Sequence, residues 1–156
     1  MSGMSSTGVL TEEAGSRSSR AVLLWGVLVG ILQAFSPVAF WWLDQDVVWA
    51  VSLVAIAFVY VGFAVADGRP SIIAIESVVA MGFVVLSGVA ITVSPWLVVV
   101  GLVGHGMKDL WQHRTHFVAN TRWWPAFCLV VDFVAAAAIA VLLIVGVDFR
   151  VGWLAT

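Results

Sequence analysis

Residues 47–66 run without a charged side chain, and residues 22–43 do the same. In hydrocarbon the backbone's polar groups can bond only to one another, so a run of about 20 apolar residues reads as an α-helix crossing a bilayer about 30 Å thick. Residues 71–93 and 124–147 have the same character with one acid apiece, Glu76 and Asp132. Composition agrees: 10% of the residues are charged and the mean hydropathy is +1.08, whereas a soluble domain has about a quarter of its residues charged. The chain reads as an integral membrane protein with the lipid bilayer as its first partner. Its net charge of −2 and scattered basic residues leave no nucleic-acid footprint. The single cysteine, Cys128, permits neither an internal disulfide nor a Cys-x-x-Cys site.

Turn chemistry divides the apolar runs. Residues 1–20 are rich in Ser, Gly and Thr, carry Glu12, Glu13, Arg17 and Arg20, and lack an apolar period. They read as a disordered cytosolic tail, leaving residues 21–156 as one transmembrane domain. The run that follows is too long for a signal-peptide core and has no cleavage site, so it reads as an uncleaved span. It holds Gln33 near its middle, Gly26-x-x-x-Gly30 for close helix approach, and Ser36-Pro37, expected to kink it. Asp44-Gln45-Asp46 and Asp67-Gly68-Arg69-Pro70 are turns, and Ser94-Pro95 opens a fourth helix. The purely apolar part of that helix, residues 96–103, is too short to cross, so the helix must continue through polar residues to Arg114 or Thr115. Trp123-Trp124-Pro125 marks an interfacial belt and the start of the last span, and Trp153 offers a second anchor near the C-terminus.

The expected architecture is therefore all-α and polytopic, a bundle of five transmembrane helices. With the N-terminus in the cytosol, Arg17, Arg20, Arg69, Lys108, Arg114 and Arg122 fall at the inner side and Arg150 outside. That is the distribution the positive-inside rule selects, and it places a multi-pass protein in the cell membrane with its C-terminus outside.

The fourth helix carries the chemistry. Residues 105–116 contain all three histidines, the only lysine, Lys108, and Asp109. At about 100° per residue, His105, Asp109, Gln112, His113 and His116 share a stripe roughly a quarter of a turn wide. Measured at about 1.5 Å per residue from the inner boundary, Glu76 lies about 8 Å deep, Asp109 about 9 Å, Asp132 about 12 Å and His105 about 15 Å. An ionised carboxylate facing lipid at such depth costs at least about 2 to 3 kcal/mol, so the acids are expected to meet inside the bundle. One reading is structural: His105 pairs with Asp109 at i,i+4, Glu76 with Lys108 or Arg69, and Asp132 with Arg114 or Arg122 snorkelling inward. The other makes the cluster a site.

As a site it would bind or transform a lipophilic small molecule by acid–base chemistry of the isomerisation or cyclisation type. Asp132, Glu76 and Asp109 are the candidate acids and His105 the base or relay; Trp111, Gln112, His113, His116, Cys128 and Gln33 would line the ligand. No cofactor is expected. A metal, Zn or Fe, would take Asp109, His113 and His116 at i, i+4 and i+7, because His105 and His113 lie about 12 Å apart along the helix. Two other classes use the same groups. A proton-coupled or metal-ion transporter or channel would use the acids as a relay. An accessory subunit of a larger membrane complex would dock through Gly26-x-x-x-Gly30 and Gly101-x-x-Gly104-x-Gly106, and a homo-oligomer stays open on the same grounds. In span number, length and its nine tryptophans the chain resembles the tryptophan-rich sensory protein (translocator protein) family, which binds porphyrins and sterols. A five-span sterol isomerase using buried His and Glu is similar in mechanism. Both resemblances concern architecture or mechanism and imply no site residue here.

Overall fold

The computed structural model describes the backbone of residues 6–119 and 121–149, and the side chains of residues 20–119 and 121–149. Among the described residues there are five α-helices and no strand: α1 (Ser6–Ala34), α2 (Gln45–Asp67), α3 (Pro70–Val93), α4 (Trp96–Thr115) and α5 (Trp124–Val145). By length and composition α2, α3 and α5 are able to cross a membrane. The helix ends follow local chemistry. The Asp44 side chain accepts the Asp46 N–H at 3.0 Å to start α2, and Gly68, with φ of 80°, stops it. Pro70 opens α3 in a first-turn position where a missing N–H costs nothing.

α1 begins at Ser6 and departs from the sequence expectation at its other end. At its far end Ser36-Pro37 stops the helix at Ala34 instead of kinking it: residues Ser36–Val38 form a 3₁₀ turn, with the Ser36 hydroxyl donating to the Gln33 carbonyl at 2.7 Å. The apolar helical part, Arg20–Ala34, is short for a full crossing. Phe35, Val38, Phe40, Trp41, Trp42 and Leu43 continue an exposed apolar surface beyond it. Arg150 and Trp153 lie outside the described residues.

α5 packs between α1 and α4, α2 packs on α3, and α4 closes the bundle by touching both α3 and α2. Glycines set the closest approaches. A Cβ on Gly30 would lie 2.7 Å from the Val131 carbonyl oxygen, and one on Gly26 would lie 2.8 Å from the Val130 side chain, so both glycines are spent on the α1–α5 contact. Gly101 lies against Leu53 and Leu86, and Gly106 against Phe133 and Asp132, whereas a Cβ on Gly104 would meet nothing within 4 Å.

α4 is two-faced. Val100, Val103, Met107 and Trp111 are exposed, while Val98, Leu102, His105, Asp109 and Gln112 are buried. At one end of the bundle, Asp67 accepts from Arg69 Nε at 2.5 Å and Nη2 at 2.7 Å and from the Ala119 N–H at 2.7 Å, and Arg69 also donates to the Phe117 carbonyl at 2.9 Å. The hydrogen bonds that Arg69 donates to Asp67 raise the Arg69 pKa above its ordinary value. At the other end, Gln45 Nε2 donates to the Val147 carbonyl at 3.4 Å while its Oε1 accepts the Phe149 N–H at 3.0 Å. Trp49, Leu53, Val98, Leu102 and Ile139 form the apolar core toward this second end, and Tyr60, Ala64, Ile72 and Val118 a smaller one toward the Arg69 end. The polar residues lie between them.

Candidate functional site

His105 is the centre. Its Nδ1 lies 2.8 Å from Asp132 Oδ2 across the α4–α5 contact and 3.4 Å from Asp109 Oδ2 on its own helix. The three side chains are 1%, 0% and 0% exposed. Gly106 makes the meeting possible: a Cβ there would come 3.3 Å from the Asp132 Cβ and 3.0 Å from the Phe133 ring, so only a bare backbone lets α5 in at this level. Two rings from the other side fix the imidazole, Phe83 of α3 edge-on with centroids 5.2 Å apart and Tyr60 of α2 at 5.8 Å.

A second ion pair flanks the first. Lys108 Nζ lies 2.8 Å from Glu76 Oε2 and 3.5 Å from the Tyr60 ring centroid, so one aromatic face serves the ammonium while the same ring borders His105. Tyr60 is a participant that the sequence reading passed over. The available signal was its being the only tyrosine, set in an otherwise apolar span.

The expected groups are thus partly assembled. Glu76–Lys108 forms as the structural reading had it, whereas His105 lies 3.4 Å from Asp109 and bonds to Asp132 instead. Asp132, however, is held by His105 and not by an arginine: Arg114 and Arg122 are exposed, and Arg69 is engaged with Asp67. Cys128 is buried one turn before Asp132 on α5. Gln112 is buried, but its Nε2 donates to the Val118 carbonyl at 3.0 Å and fastens the connection after α4.

Four expected ligand-lining residues lie elsewhere. His113 and His116 are exposed, with ring centroids 6.4 Å apart. α4 ends at Thr115 and His116 takes a left-handed φ of 51°, so the stripe stops before the last histidine. The metal set Asp109, His113 and His116 is therefore not brought together. Among the described residues, the His, Cys, Asp and Glu side chains whose ligand atoms lie within 4.8 Å of one another are His105, Asp109 and Asp132. Trp111 is half exposed and packs on Phe117 with centroids 5.1 Å apart. Gln33 donates to the Ser52 hydroxyl at 3.2 Å and lines a separate apolar groove of about 260 Å³ with Phe40, Leu43 and Val51.

Several buried atoms of the cluster make no hydrogen bond among the described residues: both Asp109 oxygens, Asp132 Oδ1 and the Tyr60 hydroxyl. Lys108 and Glu76 balance each other, leaving two carboxylates against one imidazole. Buried charge without compensation costs several kcal/mol per ion, so this centre calls for a proton on one carboxyl group or for additional positive charge. Compared with protein-family models, with curated proteins and with solved structures, the chain matches none. The functional reading rests on this geometry.

Proposed function

We propose that the chain is a five-span membrane protein whose buried His/Asp/Glu centre, in the leaflet facing the cytosol, binds or transforms a lipophilic small molecule. The observation that carries this reading is the convergence of Asp132 and Asp109 on one nitrogen of His105, all three at most 1% exposed, in a bundle whose outer surface is apolar. Burying three ionisable groups at one point is expensive, and in membrane interiors such groups mark functional positions.

The apolar outer face of α4 supports its crossing despite its charged residues, since Lys108 and Asp109 turn inward and Arg114 sits in the last turn. The apolar turn after α1 supports completion of the first crossing. Arg69, Lys108, Arg114 and Arg122 cluster toward the α2–α3 turn and the α4–α5 connection, which supports a cytosolic assignment for that end and for the N-terminus, with the C-terminus outside the cell membrane. From the cluster toward the opposite end the core is Leu53, Leu102, Val98 and Ile139, which favours a site over a transmembrane proton path. The glycine surfaces used internally likewise leave less for docking a larger complex.

Chemically, an imidazole set between two carboxyl groups in a low-dielectric interior can give a proton to, or take one from, a hydroxyl, a carbonyl or a double bond held beside it. Isomerisation and cyclisation of membrane-dissolved molecules are the reaction classes that need this. The test is extraction of the protein with its native lipids, followed by native mass spectrometry of wild type, Asp132→Asn and His105→Ala. The expected result is a co-purifying lipophilic molecule in the wild type that both variants lose while keeping helical circular dichroism and a single monodisperse species. Retention by both variants would refute the reading.

A further inference from the structure

We infer that His105, Asp109 and Asp132 form a three-ligand site for a divalent transition-metal ion, zinc or ferrous iron, with one coordination position left open. The inference rests on the reading of this cluster as the working centre and says what supplies its missing charge.

Spacing is the first argument. A tetrahedral ion with bonds of about 2.0 to 2.1 Å holds neighbouring ligand atoms about 3.3 Å apart. His105 Nδ1 stands 2.8 Å from Asp132 Oδ2 and 3.4 Å from Asp109 Oδ2, and the three ligand atoms all lie within 4.8 Å of one another. To seat an ion, the His105–Asp132 contact must open from 2.8 Å toward the tetrahedral spacing, while the His105–Asp109 distance of 3.4 Å already matches it. Two ligands come from one helix at i,i+4 and the third from the facing helix, so the helix contact that Gly106 permits also closes the site.

Unmet bonding is the second and independent argument. Asp109 is fully buried, yet neither of its oxygens accepts a hydrogen bond among the described residues, and Asp132 Oδ1 lacks one as well. A carboxylate buried without donors forgoes bonds worth about 1.5 to 3 kcal/mol each. The His105 nitrogen already bonded to Asp132 at 2.8 Å cannot serve both acids equally. A cation satisfies both carboxylates at once.

Charge is the third. A neutral imidazole, two carboxylates and a dication sum to zero, whereas a protonated imidazole with the same two carboxylates leaves a net negative charge in a low-dielectric interior. The adjacent Lys108–Glu76 pair is neutral in itself and leaves this count unchanged. One imidazole with two carboxylate oxygens suits zinc or ferrous iron, and three protein ligands with an open position is the pattern of catalytic, not structural, zinc. The open position would take an oxygen of the lipophilic molecule, which the metal would polarise as a Lewis acid.

The experiment uses the full chain in detergent, stripped with chelator and titrated with Zn²⁺ or Co²⁺ alone. The expected stoichiometry is one ion per chain, with Asp109→Asn, Asp132→Asn and His105→Ala each weakening binding by more than the 10- to 100-fold typical of losing a supporting group. The His113→Ala/His116→Ala double variant should bind as wild type; loss of the metal there would assign it to the exposed histidines and overturn the site. Should the ligand variants fail to fold, X-ray absorption of the metal-loaded wild type still decides. One imidazole and carboxylate oxygens at about 2.0 to 2.2 Å are expected, and a sulfur neighbour from Cys128 or two imidazoles would overturn the site. Wild type that takes up neither ion in the titration yet keeps its lipophilic molecule overturns the metal and leaves the proposed function standing. One ion per chain with no lipophilic molecule bound supports the metal and removes the proposed function.

Discussion

Lys108 illustrates what burial does to a single residue. It lies about 10 Å from the end of α4, at 1.5 Å per residue, where a lysine ordinarily reaches for water. Here it turns inward, 14% exposed, onto Glu76 and the face of Tyr60. Deleting one partner of a buried pair strands the other charge, at about 3–5 kcal/mol, whereas replacing both with apolar residues is near neutral. Lys108→Met is therefore expected to lower the unfolding midpoint in detergent sharply, and adding Glu76→Leu should restore most of it. A double variant no more stable than the single one would show that the pair is not what holds this level of the bundle. Tyr60 makes a contrasting case, because its hydroxyl has no hydrogen-bond partner among the described residues. Tyr60→Phe removes an unmet polar atom, so stability is expected to hold or to rise by up to about 1 to 3 kcal/mol. A clear drop in the same unfolding assay would mean that the hydroxyl has a partner in the folded protein.

Among the elements, α1 and α4 differ most in how they are held. α1 rests on α5 through Gly26 and Gly30, and the atom closest to a Cβ at Gly30 is a backbone oxygen, which cannot swing aside. Gly30→Ala must therefore push the helices apart. Gly104→Ala meets open space and replaces a poor helix former by a good one, for a gain of up to about 1 kcal/mol. The expected order of unfolding midpoints is Gly104→Ala at or above wild type and Gly30→Ala well below it. Equal midpoints would contradict the α1–α5 packing. The same elements show what pattern reading can resolve. Pro37 announced an interruption, but whether a proline kinks or ends a helix depends on whether neighbours satisfy the freed carbonyls. Here the Ser36 hydroxyl and a 3₁₀ turn take them, and α1 stops.

For the whole molecule the testable matter is sidedness. The α2–α3 turn and the α4–α5 connection share one end, fastened by Asp67 and Arg69, while the α3–α4 turn and the start of α2 belong to the other. Labelling intact cells with a membrane-impermeant maleimide is expected to reach Ser94→Cys and Trp42→Cys, and to reach Gly68→Cys and Arg122→Cys only after the membrane is opened. Cys128, buried, should stay unlabelled in both conditions and serves as the internal control. Labelling of Ser94→Cys and Gly68→Cys from the same side would rule out a crossing by α3.

Charge-free runs and turn residues determined by themselves that this chain makes helices, close to where α2 to α5 begin and end, and that Glu76, Asp109, His105 and Asp132 share one level of the bundle. Those properties depend only on run length, hydropathy and local backbone preference, which hydrocarbon enforces segment by segment. Which groups meet was decided by tertiary packing. Periodicity assigns a residue to a stripe but leaves open how far each helix is rotated about its axis, and that rotation is set by side-chain volumes on the facing helix. Gly106 lets α5 close in and delivers Asp132 to His105, while Phe83 and Tyr60 fill the far side of the imidazole. The left-handed turn at His116 ends α4, and His113 and His116 both stand exposed.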